Sequence, residues 1–467
     1  MCLLVASVVL LAAGAAWAGP PGVWTRISDP AASNTDQVGV ARTPDGVLHV
    51  AWLRKAGAGA DLMETAIAKS GRLAGSPAPI VTGWSQIGNP ALVVSSDGSL
   101  RAVFGGTRST DPGETNTSMN TATAGEDGAT WTLVTGSIVN TTDAYASVAG
   151  VALQPDGTPV TTWATTYGLG IHVGLDPSTP DQILQTACCA YQPQLATDAS
   201  GGRVVLGWDS NASGASGIFA QAVVPAGPKQ LAPGSASSPD ADQLHTAIVA
   251  RLGAPGVYLA YCGGGTTFCR AVLLWRYGGG APLVVAKAPD ATTDAGRRVM
   301  LAPGPQGRLW VAWERSGRIF AARSNKTVTR FGPIVSTAPP RGTSAIWQLG
   351  GDGADGPLDL LANVDAGGIA TWHTQLLPPL TLTASLHKAG KKRRLVIRVT
   401  DAGDPVPGAR IRFAGSIFHG LPTPKPRLSN AHGLLSLTLP AVQSRRTLTL
   451  VAGEAGYSPA RRTVTVR

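Results

Sequence analysis

The sequence predicts an all-β protein in which a β-propeller precedes a smaller β-sandwich, and three observations support this. Glycine (58) and proline (35) are frequent among the 467 residues, which disfavours long helices and favours short strands joined by tight turns. A turn followed by an apolar strand that ends in an aromatic side chain recurs along residues 19–378. From residue 379 to residue 467 the pattern changes to alternating strands without that repeat. Since the chain is also too long for one ordinary domain, we expect these two ranges to be separate domains.

The amino end predicts export from the cell. Residues 3–13 are almost continuously apolar, and Ala16 and Ala18 form a small-x-small cleavage site. This apolar segment is too short to cross a bilayer, so residues 1–18 are predicted to be a signal peptide rather than an anchor. No Lys or Arg precedes the segment, so the signal is atypical or the true start lies upstream. We expect a secreted or cell-surface protein with no transmembrane segment in the mature chain.

The repeat has the length and pattern of one propeller blade. Its turn contains a glycine, preceded by Asp, Gly, Pro or Gln in the different copies, and this glycine accepts a positive φ. The aromatic ends the strand that follows. The aromatics recur about every 53 residues, which is room for four short strands and their turns. The seven aromatics are Trp52, Phe104, Trp163, Trp208, Tyr261, Trp313 and Trp372. Seven blades are therefore favoured.

The two ends of the repeat region predict how the propeller closes. After Trp372 the seventh copy has no clear third or fourth strand, so six blades are the alternative to seven. Residues 23–27 precede the first turn and can supply the missing outer strand. A ring closed by strands from both ends of the domain hides sheet edges that would otherwise pair with other chains.

One turn resembles a known motif. In residues 124–131, Gly128, Thr130 and Trp131 match the Asp-box of the sialidase-like (BNR-repeat) propeller superfamily, S-x-D-x-G-x-T-W. Glu126 stands in place of the aspartate and Ala124 in place of the serine. The resemblance implies a propeller fold. It implies no catalysis, because the Asp-box of that superfamily is a structural turn.

The carboxyl-terminal domain resembles another family. Residues 405–413 are similar to the P-V-x-G-A-x-V-x-F strand of bacterial immunoglobulin-like and carboxypeptidase-regulatory-like domains, and residues 429–433 and 455–457 are similar to later turns of those domains. The resemblance implies an Ig-like β-sandwich that acts as a spacer or adhesive unit. None of the matching residues is catalytic in those families.

The net charge of +10 is carried by this second domain. Residues 380–467 contain 15 Lys and Arg against 3 Asp and Glu, whereas the remainder of the chain is close to neutral. Export argues against a nucleic-acid partner. The basic residues therefore predict either a solvated surface or contact with anionic cell-wall polymers or glycans. The densest group is Lys388, Lys391, Lys392, Arg393 and Arg394.

The mature chain keeps four cysteines, Cys188, Cys189, Cys262 and Cys269, and their even number predicts two disulfides in an oxidising compartment. One connectivity joins Cys262 to Cys269 across a glycine-rich hairpin and leaves a vicinal bridge for the other two. The alternative joins each of the adjacent cysteines 188 and 189 to one of the later pair. A metal site is disfavoured, because no histidine or C-x-x-C spacing accompanies them.

No cofactor is predicted from the remaining motifs. Residues 352–360 resemble part of a calcium loop, with Asp355 and Asp359 in register, but glycines occupy two ligand positions. Calcium needs about six oxygen ligands, so a plain turn is preferred and calcium is the alternative. Neither a Walker loop nor a G-x-G-x-x-G before a helix occurs, so nucleotide chemistry has no support.

The leading hypothesis for function is a monomeric, non-enzymatic propeller protein that binds glycan or protein ligands outside the cell. The alternative is a sialidase-like glycoside hydrolase or lyase that acts at the central channel. A sialidase would need three converging arginines and a Tyr/Glu pair. Residues 24–28 distantly resemble the early F-R-I-P segment of that family but lack the proline, and no glutamate can be paired with a tyrosine from sequence. Catalytic residues are therefore unassigned.

Overall fold

The computed structural model is built almost entirely from antiparallel strands, with short 3-10 turns at Pro305–Gly307 and Ser416–Phe418. None of the helical segments that it describes is long and apolar enough to cross a bilayer. The predicted signal peptide, Cys188, Cys189 and Lys391 lie outside the described residues. The structure describes residues 21–29, 37–108, 118–134, 148–164, 170–174, 182–185, 190–212, 215–235, 246–264, 269–290, 293–390, 392–419, 422–439 and 445–466.

The longer domain consists of four-stranded antiparallel units, which we call blades and number along the chain. Blade 1 comprises β2 to β5, blade 2 β6 to β9, blade 3 β10 to β13 and blade 4 β14 to β17, and β5 also pairs with β7 of the next blade. The strands are β1 (Thr25–Arg26), β2 (Gly39–Arg42), β3 (Leu48–Ala56), β4 (Gly59–Ile67), β5 (Ala78–Ile87), β6 (Ala91–Val94), β7 (Leu100–Arg108), β8 (Ser118–Ala124), β9 (Trp131–Leu133), β10 (Ala149–Leu153), β11 (Pro159–Ala164), β12 (Ile171–Gly174), β13 (Gln182–Gln185), β14 (Ala190–Asp198), β15 (Arg203–Ala212), β16 (Ala215–Val224) and β17 (Gln230–Leu231).

Three further blades complete this domain. Blade 5 comprises β18 to β21, blade 6 β22 to β25, and blade 7 β26 to β28 together with β1. The strands are β18 (Ala247–Ala250), β19 (Val257–Gly263), β20 (Ala271–Arg276), β21 (Leu283–Lys287), β22 (Arg297–Pro303), β23 (Leu309–Arg315), β24 (Arg318–Arg323), β25 (Val335–Thr337), β26 (Ala345–Asp352), β27 (Leu358–Asp365) and β28 (Ile369–Leu376).

The blades form a closed ring. The inner strands β2, β6, β10, β14, β18, β22 and β26 contact one another in that cyclic order, and β26 returns to β2. Strand β1 supplies the outer strand of blade 7, where Thr25 pairs with His373 and Arg26 with Trp372. The amino-terminal segment thus completes the last blade, as the sequence predicts.

The recurring Asp-Gly turn connects the first two strands of a blade, and its aspartate holds the turn together. The Asp45 carboxylate accepts a hydrogen bond from the Val47 amide at 3.0 Å, and Asp156 accepts one from the Thr158 amide at 2.9 Å. The intervening glycines of both turns have φ of +90°. A side chain at these glycines would be strained, which explains why the pattern recurs with this residue.

Blade 7 departs from the predicted repeat. Its second strand is β27, which follows the turn at Gly356, and the residue six positions after that glycine is Ala362 rather than an aromatic. Trp372 lies one strand further along, on β28, and pairs directly with Ala362. The sequence repeat therefore places the seventh copy one strand too late, because in this blade the third strand carries the aromatic and the second does not.

The second domain is a sandwich of two sheets around one apolar core. One sheet contains β29, β30, β31 and β34, and the other contains β32, β33, β35 and β36. Leu395, Ile397, Leu448 and Leu450 belong to the fully buried residues between them. The strands are β29 (Thr381–Ala389), β30 (Lys392–Asp401), β31 (Asp404–Pro405), β32 (Arg410–Ala414), β33 (Arg427–Leu428), β34 (Leu434–Leu439), β35 (Arg446–Gly453) and β36 (Ala460–Val466).

A buried ion-pair network joins the sandwich to blade 6. Asp401 Oδ2 lies 2.6 Å from Arg323 Nη2 and 3.2 Å from Arg308 Nη1, and Asp404 Oδ2 lies 2.7 Å from Arg308 Nη2. The side chains of Arg308, Arg323 and Asp401 are at most 6% exposed. Asp404 also accepts a hydrogen bond from the Lys326 amide at 2.8 Å. The sandwich is therefore attached to one face of the propeller by charge pairs as well as by the linker.

Candidate functional site

The inner strands surround a cavity of about 260 Å³ on the axis of the ring. All seven inner strands contribute to its wall, which is formed mainly by aliphatic side chains and glycine backbone. Gln37 and Gln194 lie at the end where the inner strands begin, and Asp352 lies at the end where they finish. We call the first end the channel mouth. Its polar side chains make it the candidate site for a ligand.

Hydrogen bonds hold one side of the mouth in place. Gln37 Nε2 donates to the carbonyl oxygens of Pro90 and Ala149, each at 3.0 Å, and Gln194 Nε2 donates to Gln37 Oε1 at 2.9 Å. These contacts connect blade 1 with blades 2, 3 and 4. The mouth is therefore preorganised on this side, with both glutamine side chains fixed by partners within the protein.

Three inner strands carry a β-bulge at the mouth. The pairing register slips by one residue between Tyr191 and Gln194 in blade 4, after Arg297 in blade 6, and after Ile346 in blade 7. Gln192 and Arg298, which lie in the first two bulges, have φ of 51° and 50°. Bulges redirect side chains and are frequent beside functional sites, and left-handed backbone is costly for residues other than glycine. The mouth thus concentrates three such irregularities at one end of the ring.

The bulges place an aromatic ring and a cation side by side. Trp347 is 40% exposed, although it lies on an innermost strand. The Arg298 Cζ atom lies 5.9 Å from the centroid of its ring, and Arg298 Nη1 donates to the Trp347 carbonyl oxygen. An exposed indole offers a flat apolar face, and a guanidinium beside it can pair with a carboxylate or sulfate.

Some buried polar atoms of the mouth lack hydrogen-bond partners among the described residues. They include Gln192 Oε1 in the blade 4 bulge, Gln348 Nε2 next to Trp347, and Thr246 Oγ1 immediately before β18. Gln348 and Thr246 are only 2% exposed. A buried donor without a partner is costly, so each position gains from a water molecule or a ligand group that completes its hydrogen bonds.

The opposite end of the ring carries a charge cluster between blades 1 and 7. Arg42 contacts three carboxylates: Asp352 through Nε, Asp355 through Nη1 at 3.3 Å and Asp359 through Nη2 at 2.5 Å. His373 Nε2 lies 2.9 Å from Asp359 Oδ1. The Arg42 side chain is 6% exposed. We call this group the seam cluster, because it bridges the first and last blades.

Burial and charge act in opposite directions on the carboxyls of the seam cluster. Burial raises the pKa of Asp352 despite the adjacent guanidinium of Arg42. Burial also acts to raise the pKa of Asp359, but the hydrogen bond and charge of His373, together with Arg42, lower it below its usual range. Burial acts to lower the pKa of Arg42, but the charges of Asp352 and then of Asp359 raise it above its usual value.

The calcium alternative falls on two carboxylates of the seam cluster. Asp355 and Asp359 both pair with Arg42, and Asp355 Oδ1 also lies 3.1 Å from Lys69 Nζ. Within the part of the chain that the structure describes, no three His, Cys, Asp or Glu side chains are grouped to hold a metal ion. Asp359 also accepts a hydrogen bond from Gln375 Nε2 at 2.9 Å and contacts His373, so side chains of the protein surround both carboxylates.

The structure joins Cys262 and Cys269 in a disulfide, with their Cα atoms 5.4 Å apart. Of the two predicted connectivities, it therefore has the cross-hairpin bridge in blade 5. Lys388, Lys392 and Arg394 are exposed around the hairpin formed by β29 and β30, and Arg393 is half-buried. The disulfide and the basic hairpin thus lie in different domains.

Two glutamates are engaged with groups other than a tyrosine. Glu64 is buried with its Oε1 atom 2.9 Å from His49 Nδ1, and Glu314 accepts a hydrogen bond from the Gly317 amide in a hairpin. Arg26, in the segment that resembles F-R-I-P, is exposed on the outer strand β1. This arginine therefore does not line the channel.

Sequence reasoning missed Arg298, Trp347 and Arg42. The sequence around Trp347 offers one usable signal, since an aromatic next to a polar residue breaks the apolar pattern of an inner strand. The sequence around Arg42 offers none, because its partners lie 310 to 317 residues away.

No protein-family model matches the chain, and no curated protein matches it either. Among solved structures, it is similar to an ulvan lyase from a new family of polysaccharide lyases, with 9% identity over 76% of this chain and 95% of that chain and a TM-score of 0.45. It is also similar to a Hadza microbial sialidase, with 12% identity over 73% of this chain and 65% of that chain and a TM-score of 0.42. A Penicillium chrysogenum α-L-arabinanase shows 11% identity over 77% of this chain and 98% of that chain, with a TM-score of 0.42. Likeness this distant carries no argument about what this chain binds or catalyses.

Proposed function

We propose that the protein binds an anionic glycan at the channel mouth. The observation that carries this proposal is the exposed Trp347 ring with the Arg298 guanidinium beside it, both on bulged inner strands. The apolar face of a sugar ring stacks on an indole, and a uronate or sulfate group pairs with an arginine. The proposal keeps the binding function expected from the sequence and assigns it a place.

The remaining polar atoms of the mouth suit the same ligand class. Gln348 Nε2 can donate to a sugar hydroxyl, and Thr246 Oγ1 can donate or accept. Arg298 is the cation beside the exposed indole, so selection for an anion rests on this side chain. A neutral sugar would lose that contact while keeping the stacking.

Replacing Trp347 by alanine should weaken glycan binding about tenfold, because stacking on an indole contributes roughly that factor to affinity. The ligand would first be identified on an array of uronate-containing, sulfated and sialylated oligosaccharides. Its affinity for both proteins would then be measured by isothermal titration calorimetry. The control is Trp131→Ala, which removes a half-buried indole from the outer strand β9 of blade 2. Equal affinities of the Trp347→Ala and wild-type proteins would refute the proposal.

Cleavage of the bound glycan is the second candidate function. The observation in its favour is a buried carboxyl at the mouth end of blade 4: Asp209 is 1% exposed and pairs in register with Tyr191, which borders the bulge at Gln192. A carboxyl and a phenol are side chains that act as general acids and bases in glycan cleavage.

An assay for products separates the two functions. Wild-type protein, Asp209→Asn and Tyr191→Phe would be incubated with the glycans that bind. New reducing ends without absorbance of an unsaturated uronate would report hydrolysis, and new reducing ends with that absorbance would report elimination. Turnover by the wild type that falls in both variants, with binding retained, would establish cleavage. Binding without turnover in any of the three leaves the binding function alone.

A further inference from the structure

The outward face of strand β30 carries a line of exposed cations. Lys392, Arg394 and Arg398 are exposed, whereas the alternating residues Leu395, Ile397 and Val399 are buried in the sandwich core. Side chains two residues apart on a strand lie on one face, roughly 6.6 Å apart along it. Because only Val396 interrupts the series, these three cations form a stripe along the strand. We call it the β30 stripe.

Hydroxyl groups flank the stripe on both sides. Strand β29 pairs with one edge of β30 and β34 with the other, so β30 is the central strand of this face. Arg394 Nε donates to Ser436 Oγ at 2.7 Å, which orients the guanidinium, and its Nη groups have no hydrogen-bond partner in the described ranges. The other polar residues that face outward beside the stripe are Thr383, Ser385, His387 and Thr438.

Little negative charge is left on this domain to neutralise the stripe. Its acidic residues are Asp401, Asp404 and Glu454. The first two pair with arginines of blade 6, and Glu454 follows β35 in the other sheet. Two of the three carboxylates of this domain are therefore paired with arginines at the junction and do not neutralise the basic surface.

We propose that the β30 stripe binds a linear anionic polysaccharide, in contact with successive carboxylate or sulfate groups. Evenly spaced cations on a flat strand match a polymer with charges at a regular interval, and arginine pairs with such groups through two hydrogen bonds. The flanking hydroxyls can hydrogen-bond to sugar hydroxyls between the charges. This site is separate from the channel mouth, and the proposal does not depend on that site.

Two other polyanions fit this face less well. A membrane-binding face inserts exposed apolar side chains beside its cations, whereas the exposed neighbours of the stripe are mainly Ser and Thr, and the aliphatic Val396 and Leu434 on this face are half-buried. A face for single-stranded nucleic acid presents aromatic rings for base stacking, and β29, β30 and β34 contain no Phe, Tyr or Trp.

The test compares two triple variants of the full chain. Lys392→Ala/Arg394→Ala/Arg398→Ala removes the stripe, and Arg410→Ala/Arg412→Ala/Arg461→Ala removes three exposed cations from the other sheet of the same domain. Polygalacturonate is the probe, dextran is the neutral polymer control, and binding is titrated at several salt concentrations. The stripe variant should bind polygalacturonate about tenfold more weakly and with a smaller salt dependence, while the other variant should stay within roughly twofold of wild type.

Equal losses in both variants would show that net charge alone attracts the polymer and would overturn the proposal, as would absence of binding by the wild type. Stripe-dependent binding to phosphatidylserine vesicles but not to polygalacturonate would assign the face to a membrane instead. Circular dichroism checks that each variant is folded. If the stripe variant is unfolded, Lys392→Glu at the exposed end of the strand provides the comparison. The stripe variant should bind the oligosaccharide identified for the channel mouth as tightly as the wild type does, so failure of the mouth proposal is distinguished from failure of this one.

Discussion

Replacing Arg42 by alanine is expected to destabilise the propeller by about 3–5 kcal/mol, the cost of removing one partner from a buried ion-pair network. The guanidinium contacts Asp352, Asp355 and Asp359, and two of these carboxylates are almost fully buried. Without Arg42, the carboxylates of Asp352 and Asp359 would lose the cation that both contact, while Lys69 would still pair with Asp355. Urea unfolding followed by tryptophan fluorescence measures the change in free energy, and the variant should unfold at a clearly lower midpoint.

The matched control is Lys69→Ala. Lys69 also pairs with Asp355, but its side chain is 67% exposed, so water replaces it at little cost. Its loss should change the free energy of unfolding by less than about 1 kcal/mol. A small effect for Arg42→Ala, similar to that of Lys69→Ala, would mean that the seam cluster does not stabilise the closed ring.

The propeller could be predicted from sequence because its repeat reflects local physical requirements. Each Asp-Gly turn needs a positive φ at the glycine and a carboxylate that accepts a hydrogen bond from a backbone amide two residues after the aspartate. Because both requirements are the same in every such turn, the same residue types recur at Asp45-Gly46 and Asp156-Gly157. The alternation of apolar residues then marks the strand that follows each turn. These signals lie within about ten residues of one another, so they are visible without knowledge of the fold.

In blade 7 the sequence repeat assigns the aromatic to the wrong strand. An aromatic fills the same layer whether it is carried by the second strand or by the adjacent third strand, and Trp372 pairs directly with Ala362. Packing requires a large aromatic side chain at this place in the blade, and either the second or the third strand can carry it. A search for spacing therefore finds the aromatic and assigns it to the wrong strand.

The candidate sites could not be predicted from the sequence for a different reason. Trp347 and Arg298 face the channel mouth because of bulges, and one extra residue in a strand reverses the face of the residues beyond it. The seam cluster and the junction between the domains depend on charges that are far apart in sequence, such as Arg323 and Asp401. Composition indicated that the second domain is basic, but only the structure shows that two of its three carboxylates, Asp401 and Asp404, are engaged by the propeller.

Replacing Asp401 by alanine is expected to uncouple the sandwich from the propeller. Asp401 is the shared partner of Arg308 and Arg323, and all three side chains are buried at the junction. Its removal leaves two arginine charges close together in a poorly solvated place, at a cost of about 3–5 kcal/mol. Because the cost falls on the docked arrangement, the domains should separate before either one unfolds. Differential scanning calorimetry should then show two transitions where the wild type shows one.

Asp404→Ala tests whether this effect belongs to Asp401 in particular. The Asp404 side chain is 18% exposed, and Arg308 keeps its contact with Asp401 when Asp404 is removed. Its loss should therefore lower the transition temperature without splitting the transition. Limited proteolysis at residues 377–380 provides a second measurement, since a separated sandwich exposes this linker to cleavage. If Asp401→Ala retained a single transition and a protected linker, the charge pairs could not be what holds the domains together, and other contacts, such as the backbone hydrogen bonds between Ser458 and residues 378–380, would have to be sufficient.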